Sequence, residues 1–384
     1  MPMCSQLFRL RRPSWGLDRI DQFVLPLDSR FVYGKTGTGV HSYHLDSGIL
    51  YSHADCGGRA VLGADFVTTG GSGVDCYGHG TATALVAGGA TYGVAKGLSL
   101  VGVKIVDCVG NLRNREILMA AIDWVTANAI KPAVANWSIS GPYSAQFNLA
   151  FANSVASGIT WVAAAGNENS SACSYSPGVV PALLTVAAST AADARWVATS
   201  DTAFNFGSCV DLFAPGKDII APWLGGPAST SGTSLAAPHV TGAAALYLQD
   251  HPNDSPAQVA SAILDAAYPY AILSPGASTT GRLLNIAFTY PNPQPLTVTI
   301  TGKASIKPNQ VCTWKASAQG GSGSLQYRWQ FAGQDIYVSL ADSITTTIPN
   351  TGTLAVKVSS LGGTETGSAS KTVTVTSSGA VCTT

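Results

Sequence analysis

Five apolar runs, at residues 39–45, 100–106, 133–139, 159–164 and 183–187, are too continuous to be half-exposed strands. Runs of that kind belong to strands covered on both faces. Between and after them lie helical patterns at 80–88, 115–128, 146–157 and 234–249. Strand–helix–strand alternation predicts an α/β domain: a parallel sheet with helices on both faces. Sites in such sheets lie beyond the carboxyl ends of the strands, so strand ends and helix starts are where chemistry is sought.

The pattern changes near residue 290. Tyr290-Pro291-Asn292-Pro293-Gln294-Pro295 reads as a stiff linker. Short alternating runs follow at 296–300, 311–316, 325–331, 354–358 and 371–376, which predicts a small all-β sandwich over 296–384. Trp314, Tyr327 and Trp329 are read as its core rather than as a ligand surface. The expected organisation is an N-terminal extension (1–14), a main domain (15–289), the linker (290–295) and the sandwich.

Charge excludes other classes. Lys+Arg and Asp+Glu are 21 each, so the basic footprint of a nucleic-acid binder is missing. Charged residues are 11% and hydrophobic ones 46%, which argues against disorder. No apolar run reaches about 18 residues, so no membrane span is expected. Arg9, Arg11 and Arg12 are not followed by an apolar segment, so residues 1–16 do not read as a signal peptide. The eight cysteines form no C-x-x-C pair. Structural disulfides are the better reading, and they point to an oxidising, extracellular destination.

Four polar residues occupy the expected junctions. Asp46 ends an apolar run, His79 opens a helix, Asn167 follows Ala163-Ala164-Ala165-Gly166, and Ser234 precedes the helix at 235–249. Taken singly, each is more commonly a turn or cap residue. Together they are what nucleophilic catalysis needs: a hydroxyl, a base to take its proton, an acid to hold the base, and a donor for the oxyanion. His239, five residues after Ser234, points about 140° away from it around the helix and reads as a packing histidine. The serine does not lie in a G-x-S-x-G elbow, which sets aside lipase-type hydrolases.

The motifs spelled out by these residues are Tyr43-His44-Leu45-Asp46-Ser47-Gly48, Gly78-His79-Gly80-Thr81, Ala165-Gly166-Asn167 and Ser231-Gly232-Thr233-Ser234-Leu235-Ala236-Ala237-Pro238-His239. They resemble the subtilisin-like serine proteases (peptidase S8), in particular the proteinase K and aqualysin branch, from about residue 15 to 285. The resemblance implies a serine endopeptidase acting through an acyl-enzyme. Asp46, His79 and Ser234 would form the triad and Asn167 the oxyanion donor. A protein or peptide substrate would pair as a β-strand between Ser138-Ile139-Ser140-Gly141 and the segment at Gly110. Ala164, Ala165 and Gly166 would edge a P1 pocket of broad preference, leaning to apolar or aromatic side chains. It also implies disulfides Cys76–Cys108 and Cys173–Cys209, and a structural calcium held by Pro181, Leu183 and Asp211. No organic cofactor is implied. A secreted monomer is expected.

Four cysteines (Cys4, Cys56, Cys312, Cys382) stay unassigned, the last two being candidates to close the β domain, which is Ig/PKD-like in pattern. Two departures stand out. The family's His-Val-Ala-Gly after Gly80-Thr81 is here Ala82-Thr83-Ala84-Leu85, and its Ser-Leu-Gly-Gly is Ser138-Ile139-Ser140-Gly141. Ser140 is expected to narrow the deeper subsite. Leu85 raises an alternative, a pseudoprotease whose displaced helix spoils His79 and which serves in binding or adhesion.

Overall fold

The structure is a computed structural model that describes residues 7–22, 25–198, 203–269, 271–289, 297–319, 325–339, 341–360 and 366–382. The Pro-rich segment 290–295 and Cys4 lie outside the described residues. The chain divides into a unit at Leu7–Thr289 and a C-terminal unit that begins at Tyr290.

The first unit is built on a seven-stranded sheet. Its strands, from edge to edge, are Leu212–Pro215, Leu184–Ser189, Thr160–Ala164, Ala133–Trp137, His41–Asp46, Ser99–Lys104 and Ala60–Asp65. Every pairing is parallel. Among the described residues, six helices accompany it: α1 (Trp15–Ile20), α2 (His79–Gly88), α3 (Arg115–Asn128), α4 (Ala145–Ala156), α5 (Thr233–Leu248) and α6 (Pro256–Ala266). The residue pattern predicts α2 to α5 and the five interior runs. It misses both edge strands: Ala60–Asp65 is half exposed along its length, and Leu212–Pro215 has only four residues.

Strand periodicity sorts the core onto two faces. Along Ala133–Trp137, Ala133, Ala135 and Trp137 pack with Leu118, Ile122 and Val125 of α3 and with Phe147 and Phe151 of α4. Val134 points the other way, into the cluster with Ala236, Val240 and Ala243 of α5. Trp137, Phe147, Phe151 and Trp161 meet edge to face, with ring centroids 4.8–5.3 Å apart. Such geometry adds about 0.5–1.5 kcal/mol per pair beyond burial. Leu85 is fully buried in the α5 cluster, so the departure in α2 is absorbed by packing. Phe8–Arg11 pairs antiparallel with Arg30–Tyr33 in the same unit.

Cys76–Cys108 and Cys173–Cys209 are bonded, with separations of 32 and 36 residues. Closing loops of that length contributes about 3–4 kcal/mol in the chain-entropy account. Cys56 is a free, buried thiol whose pKa burial pushes up to about 11.

The C-terminal unit has a three-stranded sheet (Thr297–Thr301, Val311–Gln319, Ser343–Thr347) and a five-stranded one (Ser305–Ile306, Thr366–Val375, Gly352–Ser360, Leu325–Phe331, Gln334–Ser339). Trp314 and Ile344 of the first share a buried cluster with Trp329, Leu354 and Val356 of the second. Tyr327, Trp314 and Trp329 are all buried, as core residues should be. Cys312–Cys382 closes the unit.

Candidate active site

Asp46 is the last residue of its strand and is buried. His79 opens α2 behind Gly78, whose φ of +108° favours glycine. The start of α2 comes very close to the loop after Asp46: a Cβ on Gly80 would stand 2.2 Å from the Gly48 carbonyl oxygen. Gly80 N donates to Ser47 Oγ at 2.8 Å. This approach brings His79 Nδ1 to 2.8 Å from both carboxylate oxygens of Asp46. Ser47 N also donates to Asp46 Oδ1, at 2.8 Å.

Asp75 anchors the same helix start, a role the sequence pattern does not reveal. Its Oδ1 accepts from Tyr77 N and Gly78 N, and its Oδ2 from Thr81 N and Thr81 Oγ1. A carboxylate there suits the positive end of the helix dipole. Burial alone would lower the pKa of His79. The Asp46 charge and hydrogen bond, with the Asp75 charge behind them, outweigh it and hold the imidazole above its ordinary value.

Ser234 lies in the first turn of α5 and is half-buried. Asn167 follows the end of strand Thr160–Ala164 and is exposed. The two are tied together: Asn167 Oδ1 accepts from Thr233 N at 2.9 Å and from Thr233 Oγ1 at 3.2 Å. Its oxygen is therefore engaged, and Nδ2 is left to donate. Among the described residues, the hydrogen bonds include Asp46–His79 but none between His79 and Ser234 Oγ. Such contacts commonly tighten only with substrate present. His239 is buried, its Nδ1 donating to the Leu235 carbonyl at 2.8 Å, and burial pushes its pKa down to about 4.

Ser138, Ile139, Ser140 and Gly141 run on from strand Ala133–Trp137 beside an apolar cavity of about 120 Å³, lined by Leu112, Leu118, Trp137, Ile139 and Phe147 with Arg115 at hand. Ser140 Oγ donates to Glu168 Oε1 at 3.2 Å, so it leans toward the Gly166–Asn167 segment. Glu168 Oε2 accepts from Asn167 N at 2.8 Å and Asn205 Nδ2 at 2.7 Å. Neither Glu168 nor Asn205 stands out in the sequence. Ala164 and Ala165 are buried, and Gly166 has φ +102°. A Cβ on Gly110 would meet the Tyr77 ring at 2.9 Å, and the neighbouring Cys76–Cys108 bond joins these two loops.

Among the described residues, no cluster of three or more His, Cys, Asp or Glu could hold a metal ion. The calcium set is of another kind, two carbonyls and one carboxylate. Strand register puts Asp211 beside Thr185, and Thr185 N donates to Asp211 Oδ2 at 2.7 Å. Pro181 and Leu183 sit in the turn leading into that strand. Burial raises the Asp211 carboxyl to about 6, against the Thr185 amide and Arg282. Carboxylate and carbonyl oxygens are the hard donors that such a cation takes.

A serine at a helix start, an aspartate–histidine pair and an amide fixed beside the serine define a serine-hydrolase type of site on a parallel α/β sheet. The chain matches the subtilase family, peptidase S8, over residues 44–322. It is 48% identical over 285 residues to an extracellular serine proteinase of Thermus sp. (strain Rt41A), covering 73% of this chain and 68% of that one. It is 46% identical over 254 residues to alkaline serine exoprotease A of Vibrio alginolyticus, spanning 66% of this chain but only 46% of that protein. A crystal structure of a cold adapted subtilisin-like serine proteinase superposes with TM-score 0.68 at 42% identity, over 71% of this chain and 98% of that chain. The chain belongs to the subtilase family. It is a serine endopeptidase with a subtilisin-like fold.

Proposed function

We propose that this chain hydrolyses peptide bonds of proteins through an acyl-enzyme formed on Ser234. His79 takes the serine proton as Ser234 Oγ attacks the scissile carbonyl, and later returns it to the leaving amine. Asp46 holds the imidazole with Nδ1–H toward the carboxylate and stabilises the imidazolium that forms. Asn167 Nδ2 donates to the oxyanion, a contribution worth about 10²–10³ in kcat. The observation that carries the reading is His79 Nδ1 at 2.8 Å from both Asp46 oxygens.

Substrate would add as a strand along Ser138–Gly141 and the Gly110 segment, with main-chain bonds supplying affinity and pockets supplying preference. The buried Ala164 and Ala165 and the apolar cavity beside Ile139 support a broad preference for apolar or aromatic side chains. The disulfides and the name of the Thermus relative support secretion. Pro181, Leu183 and Asp211 would hold a calcium ion whose charge relieves the buried Asp211 carboxylate.

The test is casein hydrolysis by Ser234→Ala and Asn167→Ala. Ser234→Ala should lose all measurable activity with an unchanged melting temperature, and Asn167→Ala should lose 10²–10³ in kcat at constant KM. Ser234→Ala activity within tenfold of the parent would overturn the proposal. The missing Ser234–His79 contact is the one observation on the side of the pseudoprotease reading. That reading requires the parent protein itself to be inactive.

A further inference from the structure

We infer that the Ser138 hydroxyl is a positioning group for the nucleophile, standing in for a backbone N–H that α5 lacks, and that Asn136 and Thr241 fix its direction. This rests on the reading of Ser234 as the nucleophile. In an α-helix the carbonyl of residue 234 accepts from the N–H of residue 238. Residue 238 is proline, inside the helix and buried. It has no N–H to give, and its ring crowds the carbonyl four residues back. The Ser234 carbonyl therefore turns out of the helix ladder. Ser138 Oγ meets it at 2.9 Å.

That carbonyl can only accept, which determines every other proton in the chain of contacts. Ser138 must donate its single hydroxyl proton to Ser234. The contact between Asn136 Nδ2 and Ser138 Oγ, 2.8 Å, must then run from the amide to the hydroxyl. This turns Asn136 Oδ1 toward Thr241 Oγ1, which donates to it at 2.9 Å and shares that proton with the Ala237 carbonyl at 3.2 Å. Asn136 and Thr241 are fully buried, and Ser138 nearly so. Three neutral groups are thus satisfied in a directed line from the middle of α5, across the sheet strand Ala133–Trp137, and back to the start of α5.

The consequence is mechanical. The carbonyl carbon of Ser234 is bonded to the Cα from which the Cβ–Oγ side chain extends. Fixing it from the neighbouring strand limits rotation of the first turn of α5 against the strand that continues into Ser138–Gly141. The buried hydroxyl therefore acts on reaction at Ser234 and not on the strength of substrate binding.

The experiment measures the second-order rate of labelling by a small fluorophosphonate, with kcat and KM on a peptide substrate, in a double-mutant cycle. Ser138→Ala should slow labelling and lower kcat about tenfold, with KM within twofold. Ser138→Thr, which keeps a hydroxyl, should recover most of the loss. In a Pro238→Ala background, residue 238 regains its N–H, and Ser138→Ala should then cost twofold or less. Equal losses in both backgrounds, or a loss confined to KM, would overturn the inference. Thr241→Val carries the test if Ser138→Ala does not fold: its labelling should fall at least twofold, and an unchanged rate would overturn it. A parent protein that is folded yet not labelled would overturn the reading of Ser234 itself.

Discussion

Thr83 Oγ1 lies 3.3 Å from Asp46 Oδ2 and 3.2 Å from the Gly80 carbonyl oxygen. The stretch of α2 that departs from the family pattern thus supplies a hydroxyl to the aspartate that holds His79. Asp46 keeps both oxygens on His79 and gains a donor from one turn further along the helix. Thr83→Val preserves shape and removes that donor. A hydrogen bond this long, its proton shared with the Gly80 carbonyl, is worth about 1 kcal/mol, so kcat should fall about fivefold with KM constant. An unchanged kcat would show that the hydroxyl serves only the Gly80 carbonyl.

The histidines make opposite demands on pH. The proposed base, His79, can take a proton only when neutral, and Asp46 and Asp75 hold its pKa above the ordinary 6.5. The acid limb of kcat/KM should therefore have its midpoint above pH 6.5. In Asp46→Asn, residual activity should titrate lower, because burial then dominates. As a stability effect, a raised pKa favours the fold below the unfolded value and loses that benefit as pH rises through the folded one. His44 and His239 are the reverse: burial pushes both to about 4, so they stay neutral in the fold. Their contribution is present above pH 6.5 and is lost as pH falls toward 4, at ~3 kcal/mol apiece. His239→Gln should remove that residue's share of the acid loss, so the gap in melting temperature between parent and variant should change between pH 6.5 and 4; a constant gap would contradict the assignment.

The interior strands and the four candidate catalytic residues are legible in the sequence for a local reason. Strands covered on both faces must be apolar throughout, and Asp46, His79, Asn167 and Ser234 sit inside contiguous motifs. What is not legible acts at a distance. Asp75 is recognisable only once Thr81 and Gly78 fold back onto it. Glu168 matters through Ser140 and Asn205, and Asn136 through Thr241 in another element. The edge strands escape notice because exposure dilutes the pattern of Ala60–Asp65 and Leu212–Pro215 has only four residues.

Leu235, beside the proposed nucleophile, is buried against Ala82, Val86, Ile219 and Ala221. A methionine there would put an oxidisable thioether next to Ser234. Leucine has nearly the same volume and nothing to oxidise. Met119, the described methionine, packs with the α3 cluster instead. Activity should survive peroxide at concentrations that inactivate Leu235→Met, and equal loss in both proteins would refute this.

The central claim is that Ser234 is the activated nucleophile of a working site. The direct measurement is mass-spectrometric mapping of the protein after reaction with a fluorophosphonate. The account predicts one adduct, on Ser234, whose rate of formation rises with pH through the His79 pKa and which is absent from folded Ser234→Ala. An adduct on another residue, or a folded protein that takes up no label at any pH, would contradict it.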